Sequence, residues 1–403
     1  MAQIPKRLCQ ERLQAVERLL NRYLNDKKIP CYACLVSHFG EEILFFKGGK
    51  MDVERDRPVQ RDTLFRIYSM TKPLTSIAIM QLFEQGRFQL DDPVSRFIPS
   101  WKNLKVFVSG DTNNYQTTSP DRPMTIKDLL THTSGLTYGF QHSHPVDEIY
   151  RNLGVDDITI EWSLEERIKC LADIPLQFSP GSRWNYSIST DILGYLVELI
   201  AQEELDSYFR RCITGPLKME NTSFKVSPEN QNRFSACYEY DAETGGFALQ
   251  DDPQSSPYME NPHFFSGGGG MVSSIDDYNR FTLALLGKGQ HNGTRIIGAR
   301  TLEFMTINHL PNNRDLAAMG QPVFAETPFE GIGFGLGFSV VLDPARANIA
   351  TTLGEFAWGG AASTYFWVDP IEQINVVFMT QLLPSNAYPL RRELKTAVYQ
   401  SLI

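Results

Sequence analysis

The sequence predicts an α/β (α+β) protein in which one sheet is assembled from both ends of the chain. Helices at the N- and C-termini flank that sheet, and a mostly helical lobe is inserted between its two halves. Three observations predict this. The first 66 residues read as an amphipathic helix followed by strands, and residues 67–270 are dominated by helical patterning. The last third alternates at a spacing of two and then ends in a helix. A chain of 403 residues is also longer than one simple hydrophobic core usually holds. The expected division is 1–66 plus 271–403 as an α/β domain and 67–270 as a mostly helical domain, with a functional cleft between them.

Each element has its own signal. Residues 4–26 carry apolar side chains at helical spacing among charges. Residues 31–48 (CYACLVSHFGEEILFFKG) read as two strands around a Gly-Glu-Glu turn. Residues 70–85 form a helix that Gly86 ends, and 125–135 (TIKDLLTHTSG) a short capped helix closed by Gly135. Helices follow near 163–172 and, after a Pro180-Gly181 turn, near 190–204. Residues 225–262 are polar and read as long loops or short strands. Ser274-Ile-Asp-Asp277 has capping-box spacing and starts another helix. Gly331, Gly333, Gly335 and Gly337 interleave with Ile332, Phe334, Leu336 and Phe338, which suits one strand with an open face rather than a phosphate loop. Strands at 361–369 and 373–381 and a helix at 389–402 complete the chain.

Composition narrows the function. The net charge of −9 disfavours nucleic-acid and anionic-membrane partners, which need clustered Lys and Arg. No stretch approaches the roughly 20 apolar residues of a membrane span. The N-terminus lacks the unbroken apolar run of a signal peptide, so a cytoplasmic protein is expected. Six cysteines are few for this length and are expected to be reduced. Cys31 and Cys34 have CxxC spacing but lie on a strand, so they read as core thiols. The seven histidines form no HExxH, and the His142/His144 pair reads as a solvated loop; neither metal nor cofactor is expected.

The chemistry centres on Tyr68-Ser69-Met70-Thr71-Lys72. Proline lacks an N–H and is tolerated only in a first helical turn, so Pro73 puts the helix start just before it and Ser69 at or beside the N-cap. The positive end of the helix dipole then lies next to the serine oxygen. Lys72, three residues on, shares its face. The helix is apolar nearly all round and therefore buried, and desolvation lowers a lysine pKa towards that of a base. Alone, the pattern is also that of a helix cap followed by a snorkelling lysine. Two further segments supply partners. Tyr186, in Trp184-Asn-Tyr-Ser-Ile188, sits on a connection before a helix. Trp358-Gly359-Gly360-Ala361 joins two strands, and its glycines permit close backbone approach.

Ser-x-x-Lys, then Tyr-Ser, then a glycine-bearing strand motif resembles the serine β-lactamase and penicillin-binding superfamily. Leu129–Leu136 (LLTHTSGL) and Ser266–Val272 (SGGGGMV) resemble its class C-like branch. The third motif lacks the usual Lys-Thr-Gly or His-Thr-Gly and is similar to that of family VIII carboxylesterases. Ile188 stands where class C enzymes carry an Asn. The resemblance implies the superfamily's antiparallel sheet and a serine carboxylesterase acting on short-to-medium chain esters through an acyl-enzyme on Ser69. Lys72 and Tyr186 share the proton work, and the backbone N–H groups of Ser69 and Ala361 form the oxyanion hole. Trp358, Gly359, Gly360, Tyr68 and Ile188 contact substrate. The expected partner is a small-molecule ester, and a monomer or homodimer is expected.

Four other functions compete with this one. An α/β-hydrolase esterase needs GxSxG, and no serine here has glycine at both −2 and +2, so His132 reads as structural rather than as a triad base. A β-lactamase or D-alanyl peptidase is disfavoured by the missing third-motif lysine. An acyltransferase of the same fold differs only in its acceptor. A binding module is disfavoured by the intact Ser, Lys and Tyr.

Overall fold

The computed structural model describes residues 8–320 and 329–403. The first helix, α1 (Gln10–Asn25), falls within the predicted span, of which residues 4–7 lie outside the described residues. Strands β1 (Cys31–His38), β2 (Glu41–Asp52) and β3 (Arg57–Pro58) follow. The C-terminal third supplies β4 (Ile332–Phe334), β5 (Ser339–Val341), β6 (Phe356–Gly359), β7 (Tyr365–Asp369) and β8 (Ile374–Met379). They form one eight-stranded sheet in the order β4-β5-β6-β7-β8-β1-β2-β3. Every pairing is antiparallel, and β1 joins β8 with Ala33 opposite Met379.

Strand β1 is buried throughout because both faces of the sheet are covered. Cys31, Ala33 and Leu35 point into the main core. Tyr32, Cys34 and Val36 point the other way, against Leu13, Val16 and Leu20 of α1 and Leu394 and Val398 of the terminal helix. Cys31 and Cys34 therefore lie on opposite faces. Burial pushes both thiols up to about 12, so they act as small core side chains, not as a redox pair.

Several local readings need correction. The glycine-interleaved stretch is a hairpin, not one strand. Gly335 and Phe338 close its turn with a 2.8 Å hydrogen bond. Gly337 takes φ +98°, and a Cβ there would meet Ser76 Oγ at 2.1 Å. The helix Ile126–Leu130 stops well short of Gly135, because His132 already takes a left-handed φ of 55°. Helix Ser189–Ala201 ends early where Gln202 does the same. Ser274 caps its helix by accepting from the Asp277 N–H, but the Asp277 carboxylate turns instead to Asn221 N–H and Arg280, so only half the box forms.

The terminal helix (Leu390–Tyr399) is fastened to the sheet by buried charge. Lys395 pairs with Glu355, their side chains 5% and 0% exposed. The Tyr399 hydroxyl lies 2.7 Å from carboxylate oxygens of both Glu355 and Asp369. Burial pulls the Lys395 pKa down, yet Glu355 and Tyr365 together outweigh it and leave it raised. The lysine's contribution is therefore complete at neutral pH and falls away as the solution becomes strongly alkaline. Lys395→Met leaves Glu355 buried without its cation and is expected to cost about 3–5 kcal/mol. Urea unfolding reads this as a lowered midpoint, and an unchanged midpoint would overturn it.

Candidate active site

Residues Tyr68–Met70 form a 3-10 turn that leads directly into the helix Thr71–Glu84. Pro73 sits in its first turn, and Ser69 stands one residue ahead of the N-cap, Met70. Every side chain from Thr71 to Leu82 is buried. Tyr68 takes φ +41°, a left-handed conformation that costs a non-glycine residue about 1–3 kcal/mol. The preceding strand segment holds it there. Ile67 N–H donates to Met271 C=O, and the fully buried Arg66 guanidinium bonds Asp251, Ser235 C=O and Ser256.

Two side chains converge on the serine. Lys72 Nζ lies 3.3 Å and the Tyr186 hydroxyl 2.6 Å from Ser69 Oγ. Lys72 Nζ also donates to the Tyr138 hydroxyl at 2.9 Å and to Gly268 C=O at 2.6 Å, and it sits 4.7 Å from the Tyr186 ring centre. Lys72 is 2% and Tyr186 1% exposed.

The loop after Leu130 positions Tyr186. His132 C=O accepts from Asn185 N–H, and Thr137 C=O from Ile188 N–H. The His132 ring packs edge-on against Tyr186 at 5.1 Å, and its Nδ1 lies 3.2 Å from Ser187 Oγ. Burial first, and the nearby Lys72 charge second, hold His132 well below the usual imidazole range. A neutral, enclosed ring fits a structural role. His144 caps the helix Pro145–Leu153, its Nδ1 accepting from Val146 N–H at 3.1 Å. Among the described residues no group of three or more His, Cys, Asp or Glu is placed to hold a metal, and no helix is long and apolar enough to cross a membrane.

Tyr138 and Asp191 were missed in the sequence. Asp191 Oδ1 accepts from Ser266 Oγ at 2.6 Å and from Gly268 N–H at 3.0 Å, and so fixes the carbonyl that Lys72 meets. A Cβ at Gly268 would lie 2.3 Å from Asp191 Oδ2, which explains the glycine. The available signal for Asp191 was an acid in the first turn of a helix just after the Tyr186 motif; spacing gave none for Tyr138.

The third motif divides. Ala361 borders the cavity above Ser69, as do Tyr68 and Ile188. A Cβ at Gly360 would lie 2.4 Å from Ile67 C=O, so glycine is what lets this turn approach the serine segment. Trp358, Gly359 and Gly360 were expected to contact substrate, but among the described residues they do not line the cavity. Trp358 is 1% exposed and lies behind Tyr186, packed between it at 5.5 Å and Phe334 at 5.3 Å. Gly359 backs onto the Arg391 guanidinium.

The cavity holds about 540 Å³. Its recess is apolar, lined by Val155, Ile158, Leu164, Leu171, Ile188 and Ile192. Phe140, Glu239 and Pro384, all exposed, stand at its mouth. Its charged residues are Asp156, Asp191, Glu239 and Arg167. Arg167 spends its N–H groups on the carbonyls of Gly154, Val155, Ile160 and Trp162. Burial raises the Asp156 pKa, an effect its bond from Gly139 N–H opposes.

The chain is similar to known proteins over nearly its whole length. A family model described as Beta-lactamase matches residues 16–400. The Mycobacterium tuberculosis protein named Protein Rv1367c is 35% identical over 340 residues, which cover 83% of this chain and 82% of that one. Esterase EstB of Burkholderia gladioli is 31% identical over 406 residues, covering 95% and 94%. Among solved structures, EstCE1, described as a hydrolase with promiscuous acyltransferase activity, superposes with a TM-score of 0.81 at 26% identity, covering 96% of this chain and 99% of that one.

Proposed function

Since the chain belongs to the Beta-lactamase family, as a family VIII esterase-like member of the serine β-lactamase and penicillin-binding superfamily, we propose that it is a serine carboxylesterase for neutral, short-to-medium chain esters. The observation that carries the reading is Ser69 Oγ held between Lys72 Nζ at 3.3 Å and the Tyr186 hydroxyl at 2.6 Å beside an apolar cavity.

In the first step Ser69 Oγ bonds to the ester carbonyl carbon while its proton passes to the Lys72–Tyr186 pair. The carbonyl oxygen gains negative charge and is met by the backbone N–H groups of Ser69 and Ala361. The tetrahedral centre collapses, the C–O bond to the alcohol breaks, and Tyr186 returns the proton to the departing oxygen. Water repeats the sequence on the acyl-enzyme and frees Ser69. Tyr138 and Gly268 hold the lysine in place throughout.

The substrate class follows from the cavity. Three carboxylates and one arginine already committed to carbonyls disfavour an anionic substrate such as a β-lactam, and the apolar recess favours hydrocarbon. All six cysteines are free, which suits a reducing cytoplasm. Acyl transfer to a second alcohol is the alternative reading, supported by the described activity of EstCE1. Kinetics on p-nitrophenyl esters of rising chain length, beside nitrocefin, test the proposal. The expected result is a kcat/KM for butanoate at least about 100-fold above that for nitrocefin. A lactam preference would overturn it. Added butanol diverts the acyl group into butyl ester if transfer competes with hydrolysis.

A further inference from the structure

A second cavity, of about 150 Å³, lies next to the first. The two share three wall residues, Ile158, Phe264 and Ser266. Ser266 is fixed by its bond to Asp191, which leaves the Phe264 and Ile158 side chains as the partition. Phe264 is half-buried, and its ring carries the Arg167 guanidinium 4.5 Å from its centre. Phe224, Pro257, Tyr258 and Pro262 give the second cavity an apolar wall, and the exposed Thr159, Glu260, Asn261 and His263 line its solvent side. Tyr258 is buried, its ring edge-on to Tyr68 at 6.4 Å. Across the partition of Phe264 and Ile158 the apolar recess of the first chamber therefore neighbours the Phe224, Tyr258 and Pro262 walls of the second.

We propose that Phe264 sets the acyl-chain length accepted, and that the chamber behind it is a cryptic subsite for the distal end of a long unbranched acyl chain. The inference rests on the esterase reading of Ser69. It assigns the acyl side rather than the alcohol side for a physical reason. After the first step the alcohol must leave and water must enter, and both use the open mouth at Phe140, Glu239 and Pro384. The acyl group stays bonded to Ser69 Oγ and needs an enclosed apolar volume for the life of the intermediate. The deeply buried recess of Val155, Leu164, Leu171 and Ile192 supplies the first part of that volume and ends at the partition. In the wild type a growing chain gains from each buried methylene until it reaches Phe264, and then stops gaining. Without the ring, it continues into the second chamber.

The test uses Phe264→Ala and Phe264→Leu, with the double variant Phe264→Ala/Thr159→Trp to refill the second chamber. In each enzyme the ratio of kcat/KM for p-nitrophenyl dodecanoate to that for butanoate is measured. The ratio is expected to rise at least ~10-fold in Phe264→Ala, less in Phe264→Leu, and to return towards wild type in the double variant. A parallel series of acetate esters of butanol and dodecanol should show no such rise. Calorimetry on methyl decyl ketone and methyl propyl ketone in the Ser69→Ala background separates this from the catalytic reading. Phe264→Ala tightens only the longer ketone, whether or not the enzyme turns over. An unchanged dodecanoate ratio together with unchanged ketone affinity overturns the subsite. A gain confined to the alcohol series overturns its acyl assignment.

Discussion

Ser69→Ala is expected to lower ester turnover roughly ten-thousand-fold or more, the scale of loss when a serine nucleophile is removed. The change removes one oxygen and little else. Lys72 keeps its bonds to Tyr138 and Gly268, Tyr186 keeps its ring contacts, and the helix start has no cap from Ser69 to lose. Folding and substrate affinity should therefore be preserved, and a serine-reactive phosphonate should add its mass to the wild type but not to the variant. Retained turnover in the purified variant would sink the assignment of the nucleophile.

Tyr186→Phe is expected to reduce kcat by about 10³-fold with KM nearly unchanged, within the range for loss of a general acid–base group. The variant is informative because the ring is held independently of its hydroxyl, between His132 at 5.1 Å and Trp358 at 5.5 Å. Phosphonate labelling of Ser69 should slow in parallel, since both reactions need the proton taken from the same oxygen. Wild-type kcat together with wild-type labelling in this variant would shift the base role wholly to Lys72. A fall in labelling without a fall in kcat would confine Tyr186 to the attack step and require another group to activate the water.

How far the sequence could be read depends on the range of the forces involved. The buried helix after Ser69 was legible because proline fixes a helix start within one turn and an all-round apolar pattern admits one environment. The sheet built from both chain ends was legible because β1, β7 and β8 carry apolar residues on both faces. The hairpin at Gly331–Val341 was not. A glycine every second residue is compatible with a strand, and only the approach of Gly337 to Ser76 reveals a turn. Tyr186 was legible as a residue on a connection between a Pro-Gly turn and a helix, and the resemblance of motif order gave it its role. Tyr138 and Asp191 stayed hidden because their roles need the Gly268 carbonyl to meet Lys72, a junction between segments far apart in the chain. Trp358 was misplaced because an apolar ring beside a motif can stand before or behind the tyrosine, and here Phe334 and Tyr186 enclose it from both sides.

The pairing of β1 with β8 governs how this protein is made. The Thr380 hydroxyl bonds Cys31 C=O across 349 residues of chain. A ribosome adding about 5–20 residues per second leaves β1 without that neighbour for about 20–70 s. Throughout that interval an apolar strand edge is exposed beside the nascent β1–β2 hairpin, a template for pairing with another chain. Closure of the sheet is thus a late, long-range event, and contacts of such high sequence separation fold slowly. Soluble yield in a cell should then depend on how well that edge is shielded during synthesis as much as on the stability of the finished fold.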